Sequence, residues 1–241
     1  MKNKFWWLTL IAVGLSFAGG FMLANSLNRS ELNRLQAENE SLKKGAPASG
    51  EGDENTLSDE EIRQRIAEAD KNPENIEFQK NLGLALYQYA AMKRDVELLK
   101  EVSRLLKRAF EAKNEDEEVL TGLGNISFDI GYFNKDNEKL VEARKYYQQI
   151  LSKNPENVEI RTFYGLTFFL TDPPEPEKAV IEFEKSLKTD PRNEKTLQAM
   201  TEVLISQNKK KEAEAFLDKL AGVNPNNSFL PELRKRLEKE N

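Results

Sequence analysis

Residues 164–191 read YGLTFFLTDPPEPEKAVIEFEKSLKTDP, and the spacing of small and large residues in this stretch decides the fold. Gly165 and Phe168 precede a proline-rich loop, and Ala179 and Phe183 follow it. Small residues let two helix backbones approach closely, and large residues fill the space that remains. The stretch therefore predicts two antiparallel helices joined by that loop.

The same pattern recurs along the chain at a nearly fixed interval. Gly83, Gly124 and Gly165 are separated by 41 residues each. Residues that interrupt helices recur at intervals of 41, 41, 36 and 34 residues, at Pro73, Asn114, Pro155, Pro191 and Pro225. No strand pattern intervenes. The sequence thus predicts an all-α protein of stacked helix pairs, in which each pair covers the apolar face of the next.

This pattern resembles the tetratricopeptide repeat (TPR) family, whose unit is a pair of antiparallel helices, A and B. The third pair carries the resemblance most fully, in Tyr164, Gly165, Phe168, Ala179, Phe183, Ser186 and Pro191. The resemblance covers residues 58–241 and implies a helical-hairpin solenoid of about four repeats. Residues 58–71 and 231–239 are predicted to form capping helices. The first two pairs each hold about seven extra residues, which is two helical turns, so we expect longer helices there.

The composition excludes most kinds of catalytic site. The 241 residues include no histidine and no cysteine, which removes Ser-His-Asp and Cys-His nucleophiles, thiolate chemistry and the usual zinc ligands. A net charge of −5 leaves no excess of positive charge for a phosphate backbone. The sequence therefore predicts no enzyme activity, no catalytic residue, no metal, no cofactor and no nucleic-acid partner.

The TPR resemblance implies that helix A side chains line a concave groove for a protein or peptide client. Counted from the repeat glycine, the candidate peptide-binding residues are Lys80, Leu84, Tyr87, Thr121, Asn125, Phe128, Thr162, Leu166 and Phe169, and the fourth pair adds Gln198, Glu202 and Ile205. Aromatic, amide and hydroxyl groups in register suit an amphipathic helix or an extended peptide. Phe128 is predicted to face the groove, so that its truncation would spare the fold. In the alternative interpretation, the linker or a terminal helix covers some of these aromatic residues.

A distinct segment precedes the repeats. Residues 5–24 contain no charge and follow Lys2 and Lys4, and as a helix they would span the roughly 30 Å hydrocarbon core of a bilayer. They predict a transmembrane anchor over residues 1–26 that crosses the inner (cytoplasmic) membrane once, with the repeats in the periplasm. The alternative is a signal peptide cleaved after Ala18.

Residues 27–44 predict a short coiled-coil stem. Its apolar heptad positions hold Leu32, Leu35, Asn39 and Leu42. Small residues also recur every four positions in the anchor, at Ala12, Ser16, Gly20 and Ala24. Both features favour a homodimer, and a solvated amphipathic stem is the alternative. Residues 45–57 are polar and small, which predicts a flexible linker to the TPR domain at residues 58–241.

The order of anchor, stem, linker and repeats is similar to that of the TPR subunits of bacterial c-type cytochrome maturation. The resemblance implies a membrane-tethered interaction module that binds a client polypeptide in an envelope assembly complex. The alternative is a structural or accessory subunit of a membrane complex, such as a secretion channel, dimerised through anchor and coil.

Overall fold

The computed structural model describes residues 58–113 and 115–239, and every regular element in these ranges is an α-helix. The helices are α1 (Asp59–Lys71), α2 (Ile76–Lys93), α3 (Val96–Ala112), α4 (Glu117–Asn134), α5 (Asn137–Lys153), α6 (Val158–Leu170), α7 (Pro176–Thr189), α8 (Glu194–Ser206), α9 (Lys210–Val223) and α10 (Leu230–Lys239). The predicted all-α class is thereby confirmed for this part of the chain. The predicted anchor, stem and linker lie outside the described residues. Within these ranges, no helix combines the length and the apolarity needed to cross a bilayer.

The described helices belong to two compact units, one with α1 to α3 and one with α4 to α10. In the first unit, α1 packs on α2, and α2 pairs with α3. In the second unit, three antiparallel pairs follow one another (α4 with α5, α6 with α7, and α8 with α9). The second helix of each of the first two pairs, α5 and α7, also packs on the first helix of the next pair. The last helix, α10, packs on α8 and α9, where it buries Leu230, Leu233 and Leu237.

Side-chain caps fix where the helices begin. Glu61 N donates to Ser58 Oγ at 3.3 Å, and Ser58 N donates to Glu61 Oε2 at 2.8 Å, which forms a capping box at the start of α1. The first helices of the second unit's three pairs begin after Asp116, Asn157 and Asn193, whose side chains accept backbone N–H bonds. Equivalent caps therefore place equivalent residues of the three pairs in register.

The extra residues of the first two pairs lengthen their helices, as predicted. The first helices of these pairs, α2 and α4, have 18 residues each, whereas α6 and α8 have 13. The second helices, α3 and α5, have 17 residues, whereas α7 and α9 have 14. Gly83, Gly124 and Gly165 are each the eighth residue of their helix, so the extra residues of α2 and α4 come after this packing position and leave it unchanged.

The repeat glycines stand where a large side chain of the second helix packs against the first helix. A β-carbon on Gly124 would lie 2.7 Å from Tyr147 Cε1, and one on Gly165 would lie 2.6 Å from Phe183 Cε1. Gly83 faces Leu106 in the same way. The large side chain of the second helix therefore occupies the volume that the glycine leaves open, which is the predicted packing arrangement.

Candidate functional site

The candidate site of the second unit is formed by the first helix of each pair. These helices, α4, α6 and α8, lie side by side, and we call them the A-helix layer; α5, α7 and α9 form the B-helix layer. Six of the nine predicted peptide-binding residues are buried, and only Lys80, Leu84 and Thr121 are half-buried. Lys80, Leu84 and Tyr87 belong to the first unit, and the others belong to the second.

Phe128 is part of the core rather than an accessible groove wall. Its side chain is 1% exposed. Its ring packs edge-on against Phe163 of α6, with ring centroids 5.3 Å apart and an interplanar angle of 79°. Phe163 in turn lies 6.2 Å from the ring of Tyr147. Contrary to the expectation from the sequence, we therefore expect truncation of Phe128 to destabilise the fold, because the ring fills the contact between α4 and α6.

Thr162 is also turned inward, where its hydroxyl belongs to a buried network. Its Oγ1 lies 2.7 Å from Thr196 Oγ1 and 3.1 Å from Ser186 Oγ, and it donates to the Val158 carbonyl at 2.8 Å. The network joins α6, α7 and α8 and satisfies hydroxyl groups that would otherwise be buried without partners. Thr162 therefore contributes to the packing of the helices, and its hydroxyl does not line an accessible surface.

Asn125 is held in place by a tyrosine of the B-helix layer. The Tyr147 hydroxyl donates to Asn125 Oδ1 at 2.9 Å, and both residues are buried. Burial raises the pKa of the Tyr147 phenol well above its usual value, and the negative charges of Asp129 and Glu159 raise it further.

The remaining candidates differ in accessibility. Leu166 and Phe169 are 2% and 5% exposed, whereas Thr121 is half-buried. In the fourth pair, Gln198, Glu202 and Ile205 are all buried. Sequence periodicity identified the helix face on which these residues lie, but it contained no measure of how deeply each is covered. Their role in binding a peptide stays a prediction.

An ion pair that was not predicted from the sequence joins two helices of the layer. Lys195 Nζ of α8 lies 2.6 Å from Glu159 Oε1 of α6. The same ammonium group stands over the ring of Phe163, 5.3 Å from its centroid. Glu159 and Lys195 are 36 residues apart, which equals the interval between the repeat boundaries Pro155 and Pro191. The sequence signal that could have predicted this ion pair is the presence of opposite charges at equivalent positions of two successive repeats.

Glu202 places a carboxyl group in the interior of the layer's last helix. Gln198 Nε2 donates to Glu202 Oε1 at 2.9 Å within α8. Burial raises the pKa of Glu202 from 4.5 to about 7, while the hydrogen bond from Gln198 and the positive charge of Arg236 on α10 partly oppose that rise. The carboxyl group therefore changes charge close to neutral pH.

Comparison with known proteins supports the fold through structure alone. No protein-family model matches this sequence, and no curated protein matches it either. A crystal structure of MamA superposes with a TM-score of 0.52 at 18% identity, over 68% of this chain and 81% of that one. A second MamA structure gives 0.51 at 17% identity, over 74% and 90%. This chain has a tetratricopeptide-type fold. YrrB, described as a TPR protein with an unusual peptide-binding site, gives 0.42 at 14% identity, over 72% of this chain and 99% of YrrB.

In the tetratricopeptide arrangement, the residues that pack the two helices of one pair differ from the residues that connect one A helix with the next. Glycines of the A helices face the B helices, as Gly124 and Gly165 do here. Phe163, Glu159 and Lys195 instead connect one A helix with the next. The charged and aromatic contacts between A helices are therefore distinct from the glycine contacts within each tetratricopeptide pair.

We expect Glu202→Gln to stabilise the protein at alkaline pH. A carboxyl group whose pKa rises from 4.5 to about 7 on folding binds more proton in the folded state, so stability falls as the pH rises between these two values. Above pH 7 the buried charge costs about 3 kcal/mol. Glutamine carries no charge and retains an oxygen that accepts from Gln198. The variant should equal wild type in unfolding free energy near pH 4.5 and exceed it by about 3 kcal/mol at pH 8.

Urea unfolding of the full chain at a series of pH values checks this expectation. Glu184→Gln on the exposed side of α7 is the matched control, because it removes the same charge from a solvated position. A difference between Glu202→Gln and wild type that stays constant from pH 4.5 to pH 8 would show that Glu202 keeps an ordinary pKa.

Proposed function

We propose that this protein is a membrane-tethered tetratricopeptide module that binds a client polypeptide. The observation that carries the proposal is the A-helix layer, in which aromatic and charged side chains such as Phe163, Glu159 and Lys195 connect successive helices. The fold supplies a framework for such a layer, because Gly124 and Gly165 fix the first two pairs of the second unit through close contacts with their second helices. The absence of histidine and cysteine from the sequence favours binding over catalysis.

The membrane part of the proposal is supported by sequence. Residues 5–24 are uncharged, and a stem at residues 27–44 and a linker at residues 45–57 separate them from the helices. We propose a single pass through the inner membrane, with the tetratricopeptide domain in the periplasm and with dimerisation through anchor and stem. This layout suits recruitment of a client to an envelope assembly complex of the kind that matures c-type cytochromes.

Site-specific photo-crosslinking in cells tests the proposal. We expect a photoreactive residue at Thr121, a half-buried position of the A-helix layer, to capture a client polypeptide that fractionates with membranes. The same photoreactive residue at Gln148, an exposed position of α5, is the matched control and should capture little. Capture at both sites alike, or at neither, would contradict a binding function for the A-helix layer. Recovery of the protein in the soluble fraction would contradict the membrane anchor.

A further inference from the structure

Helix α4 is buried on more sides than its neighbouring helices account for. Residues 122–131 are all buried, and at about 100° per residue they point in every direction around the helix axis. Helix α8 is buried to the same extent over residues 196–205, and it packs on the four helices α6, α7, α9 and α10. Among the described helices, those that pack on α4 are α5 and α6. A further cover therefore shields part of α4 from solvent.

The side of α4 that faces neither α5 nor α6 is apolar. Gly124 faces Tyr147 of α5, and Phe128 contacts Phe163 of α6. By helical geometry, a separate stripe points away from both of these positions, and it consists of Val119, Leu123, Ile126 and Ile130. These four residues, which we call the α4 stripe, are at most 4% exposed. The cover must therefore offer apolar surface, because such side chains gain by leaving water.

The corresponding side of α6 shows what occupies this place in the next pair. Thr167 follows Ile126 by 41 residues, which is the repeat interval. Arg144 Nε of α5 donates to Thr167 Oγ1 at 3.1 Å, so this side of α6 packs on the preceding helix. Helix α4 is the first described helix of its unit. The α4 stripe therefore lies where an additional helix would pack.

Residues 5–24 have the composition that this place requires. They lie in the longest uncharged run of the sequence, and a helix of that length measures about 30 Å, enough to follow α4. The 33 residues at positions 25–57 connect them to the described helices, and a random coil of that length spans about 30 Å. We propose that residues 5–24 cover the α4 stripe when no bilayer is present, and that insertion into a bilayer uncovers it.

The two places for residues 5–24 exclude each other. Apolar side chains leave water in either place, but a segment inside the hydrocarbon core of a bilayer is out of reach of α4. Insertion therefore opens the α4 stripe to an apolar part of the client. The inference rests on the proposed function for the anchor and the client, and it adds a contact within one chain that competes with both.

The composition of the chain provides a specific probe of this contact. Its two tryptophans, Trp6 and Trp7, both belong to residues 5–24, so tryptophan emission reports on this segment alone. Since the chain has no cysteine, one introduced cysteine can carry a nitroxide that quenches a tryptophan close to it. The label is placed near either end of α4, in Glu118→Cys or Phe133→Cys. Gln148→Cys, at an exposed position of α5, is the matched control.

The full-length protein is synthesised without lipid or detergent, and circular dichroism establishes that each labelled variant is folded. We expect a label near one end of α4 to cause a loss of tryptophan emission, whereas the label at position 148 leaves the emission unchanged. Addition of phosphatidylcholine vesicles should restore the emission, because residues 5–24 then move from α4 into the bilayer. This pattern supports the inference.

The other outcomes separate the inference from the proposed function. Absence of quenching from both ends of α4 overturns the inference, because another part of the chain then covers the α4 stripe. Equal quenching by all three labels overturns it as well, because it indicates unspecific association. Quenching at α4 that persists with vesicles supports the contact and contradicts the membrane anchor. Vesicle-sensitive quenching without a client crosslink at Thr121 supports the contact and contradicts only the binding function.

Discussion

Replacing Gly124 with leucine should destabilise the second unit severely. Even the first carbon of a side chain at this position would lie 2.7 Å from Tyr147 Cε1 and 3.0 Å from Cδ1, well inside van der Waals contact. The ring of Tyr147 is fully buried and its hydroxyl is bonded to Asn125, so it cannot move aside without breaking further contacts. Overpacking of this kind costs about 1–3 kcal/mol and in some cases more, and we expect a correspondingly lower denaturant midpoint by circular dichroism.

The chain contains a matched control for this substitution. Gly222 lies in α9, where an added β-carbon would meet nothing within 4 Å. Gly222→Leu should therefore be neutral or stabilising by up to about 0.7 kcal/mol, because leucine favours a helix more than glycine does. If the two variants unfold at the same denaturant concentration, the close approach of α4 and α5 does not exclude a larger side chain at position 124.

The glycines show what sequence alone could predict. Gly83, Gly124 and Gly165 recur at one interval, and in all three pairs the glycine meets a large side chain of the second helix. Helix pairing is local, because each contact joins residues within one repeat. Periodicity therefore sufficed to predict the helix pairs and their packing residues.

The candidate site was harder to predict because it depends on contacts between repeats. The repeat pattern assigned Thr162 and Phe128 to one face of their helices, but burial of that face depends on which side chains of the next repeat reach it. Thr196 reaches Thr162, and Phe163 reaches Phe128, and neither partner is implied by the repeat glycine from which the positions were counted. The Glu159–Lys195 pair was missed for the same reason, since each residue alone is an ordinary charge near a helix start.

Phe128→Ala measures how much the contact between α4 and α6 contributes to the fold. Removal of a ring that is 1% exposed takes away its edge-on contact with Phe163 and leaves a cavity between the two helices. Truncations of this kind cost about 3–5 kcal/mol, so the free energy of unfolding should fall by that amount in urea titrations monitored by circular dichroism.

Phe216 on α9 is the matched control for Phe128, because its ring is half-buried and contacts the side chain of Lys219, with 4.5 Å from Nζ to the ring centroid. Phe216→Ala should cost about 1 kcal/mol, since less apolar area leaves a buried position. Phe128→Leu should recover much of the loss, because leucine refills part of the cavity. A Phe128→Ala protein as stable as wild type but deficient in peptide binding would instead show that the ring is accessible, and it would restore the original prediction that Phe128 faces a ligand groove.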